Sequence, residues 1–204
     1  MGAPKFTSQL AAEYTGLWVT CTPHRDRLGE IDRVGDRLRA NQDRYEAVAM
    51  RAVYVPWVFI GLVHLMECSL SFSLHLHNGD PLSQRTRNVP AGRPATRGPW
   101  TWEESALDAL RMKGLQHWKE WTVPGLLFQL ERYNGFGYRQ YHPEVLSPYL
   151  WSGSHHYRQG KYVADGAWSD TAVSKQLGAA VVLRRLCSTG AIALRGLPVE
   201  GGLA

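Results

Sequence analysis

Cysteine is scarce in this sequence. Cys21, Cys68 and Cys187 are the only 3 among 204 residues. They stand at no metal-like spacing, and an odd, sparse set gives no disulfide framework. Free thiols fit synthesis in a reducing cytoplasm. Long apolar runs are also missing. The most apolar stretch, Val53 to Met66, has about 14 residues and contains His64, whereas a bilayer span takes roughly 20. A buried helix is therefore expected there, with no stable membrane insertion. The opening Met1-Gly2-Ala3-Pro4-Lys5-Phe6 runs into a mixed polar segment and does not read as a signal peptide. Internal repeats and low-complexity segments are absent as well.

Acidic excess is lacking too. The formal net charge is +5 and the isoelectric point is near 9.2. Such a surface favours an anionic partner, whether nucleic acid, anionic lipid or anionic cell wall. The basic residues are spread along the chain instead of forming a tail, and no nucleic-acid partner is expected. What is present is enough apolar material, 44% with 20% charged residues, to build one folded domain.

Periodicity predicts a mainly helical chain. Phe6 to Thr20 reads as a first helix ended by Pro23. Arg27 to Ala52 reads as one long amphipathic helix with Asp26 near its start as cap. Val55 to Ser69 reads as a central helix, apolar nearly all round, with Pro56 in its first turn and Glu67 at its end. Ser71 to Pro94 changes character. Ser71-Phe72-Ser73-Leu74-His75-Leu76-His77 alternates like a strand, Asn78-Gly79-Asp80-Pro81 is a turn signal, and Arg87 to Pro90 is a candidate return strand. Helices follow at Trp102 to Lys113, capped by Thr101, and at Val123 to Tyr133, ended by Asn134-Gly135. Gly137 to Tyr162 reads as an aromatic loop region. A last helix is expected over Ser169 to Leu186, and the tail from Ser188 is rich in Gly and Leu. The expected fold class is α+β, mainly α, with a small β-hairpin lobe after the helix that carries Glu67. One domain is expected over 1–190, with N-terminal helices in 1–52 and a C-terminal tail over 191–204.

Glu67 is the first candidate for chemistry. A carboxylate at the end of an otherwise apolar helix is costly to ionise, and burial raises its pKa toward the range a general acid needs. The ordinary alternative is a helix-end Glu that reaches water. Asp80 follows 13 residues later in the turn. Glycosidases work with two carboxylates across the scissile bond, although Asn-Gly-Asp-Pro is also a good turn without chemistry. Thr86, six residues beyond Asp80, offers a hydroxyl to hold water, or is an exposed strand threonine. His75 and His77 share one strand face. With His64 and Asp80 they form a conceivable metal set, but Cys68 stands where a zinc-helix motif needs its second His. No metal and no cofactor are expected, and His75 and His77 are assigned to a substrate subsite with Asn78. The 8 Trp and 9 Tyr supply faces on which sugar rings stack, with about half of them expected in the core. Tyr133, Asn134, Tyr138, Tyr149 and Trp151 complete the candidate substrate-binding set.

These residues resemble the lysozyme-like superfamily that includes goose-type and phage lysozymes, lytic transglycosylases and chitosanases. In that fold the catalytic Glu ends a buried helix and a small β-lobe follows, as with Val55–Glu67 and Ser71–Pro94. Tyr133-Asn134-Gly135 looks like the turn that transglycosylases and goose-type enzymes carry after a later helix. More narrowly, His75-Leu76-His77-Asn78-Gly79-Asp80-Pro81-Leu82, Arg85-Thr86, Val89 to Pro94, Trp102 to Ala106, Ser147 to Trp151 and Gly160 to Gly166 resemble a group of phage and bacterial lysozyme-like sequences. The resemblance covers about residues 53 to 186. Glu67, Asp80 and Thr86 match the Glu, Asp, Thr order of phage-type enzymes. The longer Glu–Asp gap and Cys68, where transglycosylases carry Ser, depart from the pattern.

The resemblance implies a muramidase that hydrolyses the β-1,4 bond between N-acetylmuramic acid and N-acetylglucosamine. Glu67 would be its acid and Asp80 would activate water with Thr86, an inverting arrangement if the carboxylates stand about 6.5–9.5 Å apart. The expected setting is phage or prophage lysis. The protein would be monomeric, made in the cytoplasm, and act on peptidoglycan glycan strands after release. A lytic transglycosylase, a zinc-dependent peptidase or amidase, and a non-catalytic wall-binding or phage structural protein are the competing readings.

Overall fold

A computed structural model describes residues 3–53 and 55–194. The order of elements among them is α1 (Ser8–Thr20), α2 (Leu28–Ala40), α3 (Gln42–Ala52), α4 (Trp57–Cys68), α5 (Trp102–Met112), α6 (Val123–Asn134), α7 (Gly137–Tyr141), α8 (Pro148–Trp151), β1 (Lys161–Ala164), β2 (Ala167–Ser169) and α9 (Ala179–Ser188). The fold is mainly helical with one small antiparallel ladder. Part of the C-terminal tail expected over 191–204 lies outside the described residues. No single helix among the described residues is long and apolar enough to cross a membrane.

The core gathers around α4. Phe59, Ile60, Leu62 and Val63 are fully buried, and side chains of that size contribute roughly 1.5–3 kcal/mol each when removed from water. Helices α2, α3, α6 and α9 all touch α4, which explains why it is apolar nearly all round. The chain leaves this helix through two consecutive non-glycine residues in the left-handed region, Ser69 at φ 51° and Leu70 at φ 61°. That conformation is costly for residues with a Cβ. The Ser69 and Leu70 amides hold it by donating back to the Leu65 carbonyl at 3.1 Å and the His64 carbonyl at 3.2 Å. Leu70 is itself buried.

The single long helix expected over 27–52 is two helices, broken at Asn41, whose amide side chain donates to the Arg37 carbonyl at 2.8 Å and ends α2. The amphipathic pattern runs through the break because α2 and α3 both face α4. Asp26 caps neither helix; it sits in a 3-10 turn, Arg25–Arg27. Pro56 precedes α4 as its N-cap. Thr101 caps α5 as expected, and with Glu104 it forms a capping box in which each side chain bonds the other's backbone. The last helix begins at Ala179, ten residues after the expected start. Its N-cap is Gly178, where a Cβ would lie 2.2 Å from the Leu150 carbonyl oxygen.

The β structure is displaced from its expected place. Ser71 to Pro94 forms no ladder. It holds one isolated bridge between Leu74 and Pro81 and a bond from the His75 amide to the Asp80 carbonyl at 2.7 Å. The ladder lies instead at 161–169, from the end of the region read as aromatic loop to the residue expected to begin the last helix. There Lys161 pairs with Ser169 and Tyr162 with Trp168 across the Asp165-Gly166 turn. Trp168 stacks on His142 at 3.4 Å, and Tyr162 meets Tyr138 edge-on at 5.5 Å.

Candidate functional site

Helix α4 delivers Glu67 to the edge of the core. Its neighbours Leu65, Met66 and Cys68 are buried, while Glu67 is partly exposed. Tyr149, on α8, donates its hydroxyl to Glu67 Oε1 at 3.0 Å. Glu67 Oε2 has no hydrogen-bond partner among the described residues and is free to carry and release a proton. Burial raises the pKa of this carboxyl to about 7, against the Tyr149 bond and the charge of Lys113, which both favour the ionised form. Burial keeps Tyr149 and Tyr133 protonated well beyond the usual tyrosine range, so Tyr149 acts here only as a donor. Lys113, at the end of α5, donates to the Tyr133 carbonyl at 3.0 Å and lies 4.7 Å from the centre of the Tyr133 ring. The Tyr133 hydroxyl in turn donates to the Leu76 carbonyl at 2.8 Å.

A cleft of about 160 Å³ opens beside Tyr149, and Asn134, Tyr138, Lys161, Tyr162, Ser174 and Gln176 also line it. Gln176 reaches back to the Met66 carbonyl at 2.8 Å, which ties this wall to the end of α4. A larger cleft, about 430 Å³ between α2 and α9, contains none of these groups. Its Asp32 and Arg185 are already paired at 2.8 Å. Chemistry, not volume, marks the smaller one.

The loop after α4 docks on the helix end. Gly79, at φ +77°, packs where a Cβ would meet the Glu67 carbonyl oxygen at 2.5 Å, so only glycine fits this close approach. Its neighbour Asp80 faces the other way in function. Asp80 Oδ2 accepts from the Arg87 amide at 2.8 Å, the Asn88 amide at 2.9 Å and Asn78 Nδ2 at 3.0 Å, and Oδ1 accepts from Asn88 Nδ2 at 2.7 Å. Burial works against ionisation, but these bonds outweigh it and hold the carboxyl below its usual range. Asp80 and Asn78 thus organise the loop over residues 78–88.

Several expected contact residues are enclosed, which corrects their assignment. Thr86 is buried and spans its own loop, accepting from the Arg93 amide at 2.9 Å and donating to the Pro90 carbonyl; it is neither exposed nor on a strand. His75 is completely buried between Ser105 and the Gln84 carbonyl, both at 2.6 Å. His77 is paired with Asp108 at 2.8 Å, and Arg93 holds the same carboxylate. Trp151 is 1% exposed and belongs to the core. None of these four offers a face to a substrate, because each is spent on tying the loop or α8 to the core. Tyr133 is also buried and acts through its bonds to the loop. His64 is enclosed against Tyr45 at 3.0 Å, and no group of three or more metal-ligating side chains is assembled among the described residues.

The structure therefore brings Asn134, Tyr138 and Tyr149 to one cleft, to which Glu67 is linked through its bond from Tyr149. Lys161, Tyr162, Ser174 and Gln176 line the same cleft and Lys113 acts on Glu67 by its charge, none of them having been singled out. The Asp165-Gly166 turn is a hairpin signal that points to Lys161 and Tyr162; Lys113 and Gln176 carry no local signal. No family model, curated protein or solved structure matches the chain.

Proposed function

We propose that this protein cleaves the glycan strands of bacterial cell wall, as a muramidase with Glu67 as proton donor. One observation carries the reading. A carboxyl held protonated to about pH 7 presents an unbonded oxygen beside a cleft walled by tyrosines and amides. Acid-catalysed glycosidic cleavage needs a protonated carboxyl at the leaving oxygen, and sugars offer apolar C–H faces to aromatic rings and hydroxyls to amide partners. Tyr149, which lines the cleft, fixes Oε1 and leaves Oε2 unbonded. The resemblance of Glu67 and the segments around it to lysozyme-like enzymes supports the same reading. It also supports action on peptidoglycan during phage or prophage lysis.

Asp80 favours a second reading within the same chemistry. Its carboxylate accepts four hydrogen bonds, which leaves it poorly placed to take a proton from water. A lytic transglycosylase needs Glu67 alone, with the sugar's own hydroxyl displacing the leaving group and an anhydro end formed. Digestion of purified peptidoglycan with wild-type and Glu67→Gln protein, read by mass spectrometry, tests both. New reducing muramic ends that vanish with the variant establish hydrolysis. Anhydro ends establish the second reading. An active, folded Glu67→Gln protein overturns both.

A further inference from the structure

The cleft beside Tyr149 contains a charge that proton donation does not require. Lys161 lines it and is only partly exposed, and no acidic side chain lines the same cleft. The Lys161 ammonium makes no hydrogen bond or ion pair among the described residues, unlike Lys113, which is bonded to the Tyr133 carbonyl. An ammonium that lines a cleft without a counter-charge is open to pairing with an anion. Neutral sugar hydroxyls are served by Asn134, Ser174 and Gln176 and have no need of a full positive charge. The position is also rigid. Lys161 pairs with Ser169 at the start of the ladder, and the next residue, Tyr162, is locked between Tyr138 and Trp168 at 5.5 and 5.2 Å.

We propose that this cleft is a carboxylate-reading subsite, in which Lys161 pairs with an acid group carried on the sugar next to the bond that Glu67 cleaves. The inference rests on the glycan-cleaving reading of Glu67 and adds to it a choice of substrate. Lys161 sorts acid-bearing strands from uncharged ones of the same backbone. The carboxylate has two sources in wall glycan: the lactyl group of a muramic acid stripped of its peptide, or an acid on an attached peptide stem. If the lactyl group is the source, a reaction that removes the stem must act first.

Binding measured on Glu67→Gln protein, which does not consume its ligand, tests this by calorimetry. Three ligands of equal length serve as probes: stem-stripped glycan oligomers, stem-bearing glycan oligomers, and uncharged chitin oligomers. Adding Lys161→Met is expected to weaken binding of an acid-bearing ligand about tenfold, to leave chitin oligomers within twofold, and to abolish the salt dependence. Lys161→Arg is expected to restore most of the loss. Selective loss on stripped strands identifies the lactyl source, and selective loss on stem-bearing strands the peptide source. Unchanged affinity for all three ligands on adding Lys161→Met, or equal loss on all three, overturns the subsite. The two ideas fail separately. Lys161-dependent binding without cleavage by the wild type removes the enzyme and keeps the subsite, whereas cleavage with Lys161-independent binding does the reverse. Lys161 holds no structural bond, so matching thermal melts are expected for the variants.

Discussion

Glu67 and Asp80 stand 13 positions apart, one at the end of α4 and one in the loop that docks on it, and they meet opposite fates. Asp80 collects four hydrogen bonds and is held ionised. Glu67 receives one, from Tyr149, and is held near neutrality by burial. The difference lies in the supply of donors. The loop over 71–94 bonds both Asp80 oxygens and the Thr86 hydroxyl within itself and ties His75 and His77 Nε2 to α5, leaving His77 Nδ1 buried without a partner among the described residues. The end of α4 leaves one carboxyl oxygen unclosed beside a cleft. Satisfied polar groups make structure, and a polar group with its partner withheld keeps energy in reserve for a ligand.

The largest way to break the comparison is to remove the unsatisfied acid. Glu67→Gln is expected to lower glycan cleavage by about 10³-fold, within the range that positioned general acids contribute, and to leave the fold intact. Its effect on stability has the reverse sign. The folded pKa of Glu67 lies above its unfolded value, so the native state holds the extra proton and stability falls as pH rises through the window from 4.5 to about 7. Above that window the ionised side chain is a penalty that Gln does not have. Denaturant titration at pH 8 should find Glu67→Gln more stable than wild type by on the order of 2 kcal/mol, allowing for the partial contact of Glu67 with solvent. A less stable variant at pH 8 would show that Glu67 is bonded like Asp80 after all.

Removing the satisfied acid should do the opposite. Asp80→Ala orphans the Arg87 and Asn88 amides and two side-chain amides, and it is expected to destabilise the protein by about 2–4 kcal/mol. The depressed pKa of Asp80 gives the pH sign. Its stabilisation is present above the ordinary aspartate range and is lost as pH falls through the lower folded value. The loss in the variant should therefore shrink in acid, as thermal melts at pH 7 and pH 3 will show. Asp80→Asn removes the charge and keeps the size. Cleavage by Asp80→Asn within tenfold of wild type would make the acid structural and favour the single-acid mechanism, whereas loss as deep as that of Glu67→Gln would restore Asp80 to the reaction.

Sequence reading found the residue whose partners are withheld more easily than it told which polar residues are satisfied. Glu67 was legible because a carboxylate interrupts the apolar run of α4. Asn134, Tyr138 and Tyr149 were legible as polar and aromatic residues near loops. His75 and His77 looked exposed because alternation in 71–77 imitates a strand with one wet face, and Thr86 because it was placed beside a return strand. In the structure His75, Leu76 and His77 are all buried, since α5 and α6 close over the segment through Ser105, Asp108 and Tyr133. The break at Asn41 was hidden because both helices keep the same apolar side toward α4. Lys113, Lys161 and Gln176 act at a distance in the chain, and a single lysine or glutamine reads the same whether it faces solvent or a cleft.

Two smaller changes sharpen the account of Glu67 by separating position from charge. Tyr149→Phe deletes the bond that fixes Oε1. It is expected to cost about tenfold in kcat through lost orientation. It should also move the alkaline limb of the pH–rate profile above its wild-type position near pH 7, because the Tyr149 bond favours the ionised acid.

Lys113→Met tests the charge without touching the Tyr149 bond to Glu67. The ammonium does not touch the carboxylate; it is bonded to the Tyr133 carbonyl, and its field favours ionised Glu67. Without it the acid keeps its proton to higher pH, while Tyr149 still holds Oε1. The alkaline limb should move upward by a fraction of a pH unit with kcat at pH 6 nearly unchanged. At pH 8 the variant should cleave faster than wild type. Few substitutions of a buried charge are expected to improve activity, so the sign is diagnostic. A limb that stays in place would mean that the Lys113 field does not reach Glu67, and burial with Tyr149 would then be sufficient to set its proton affinity.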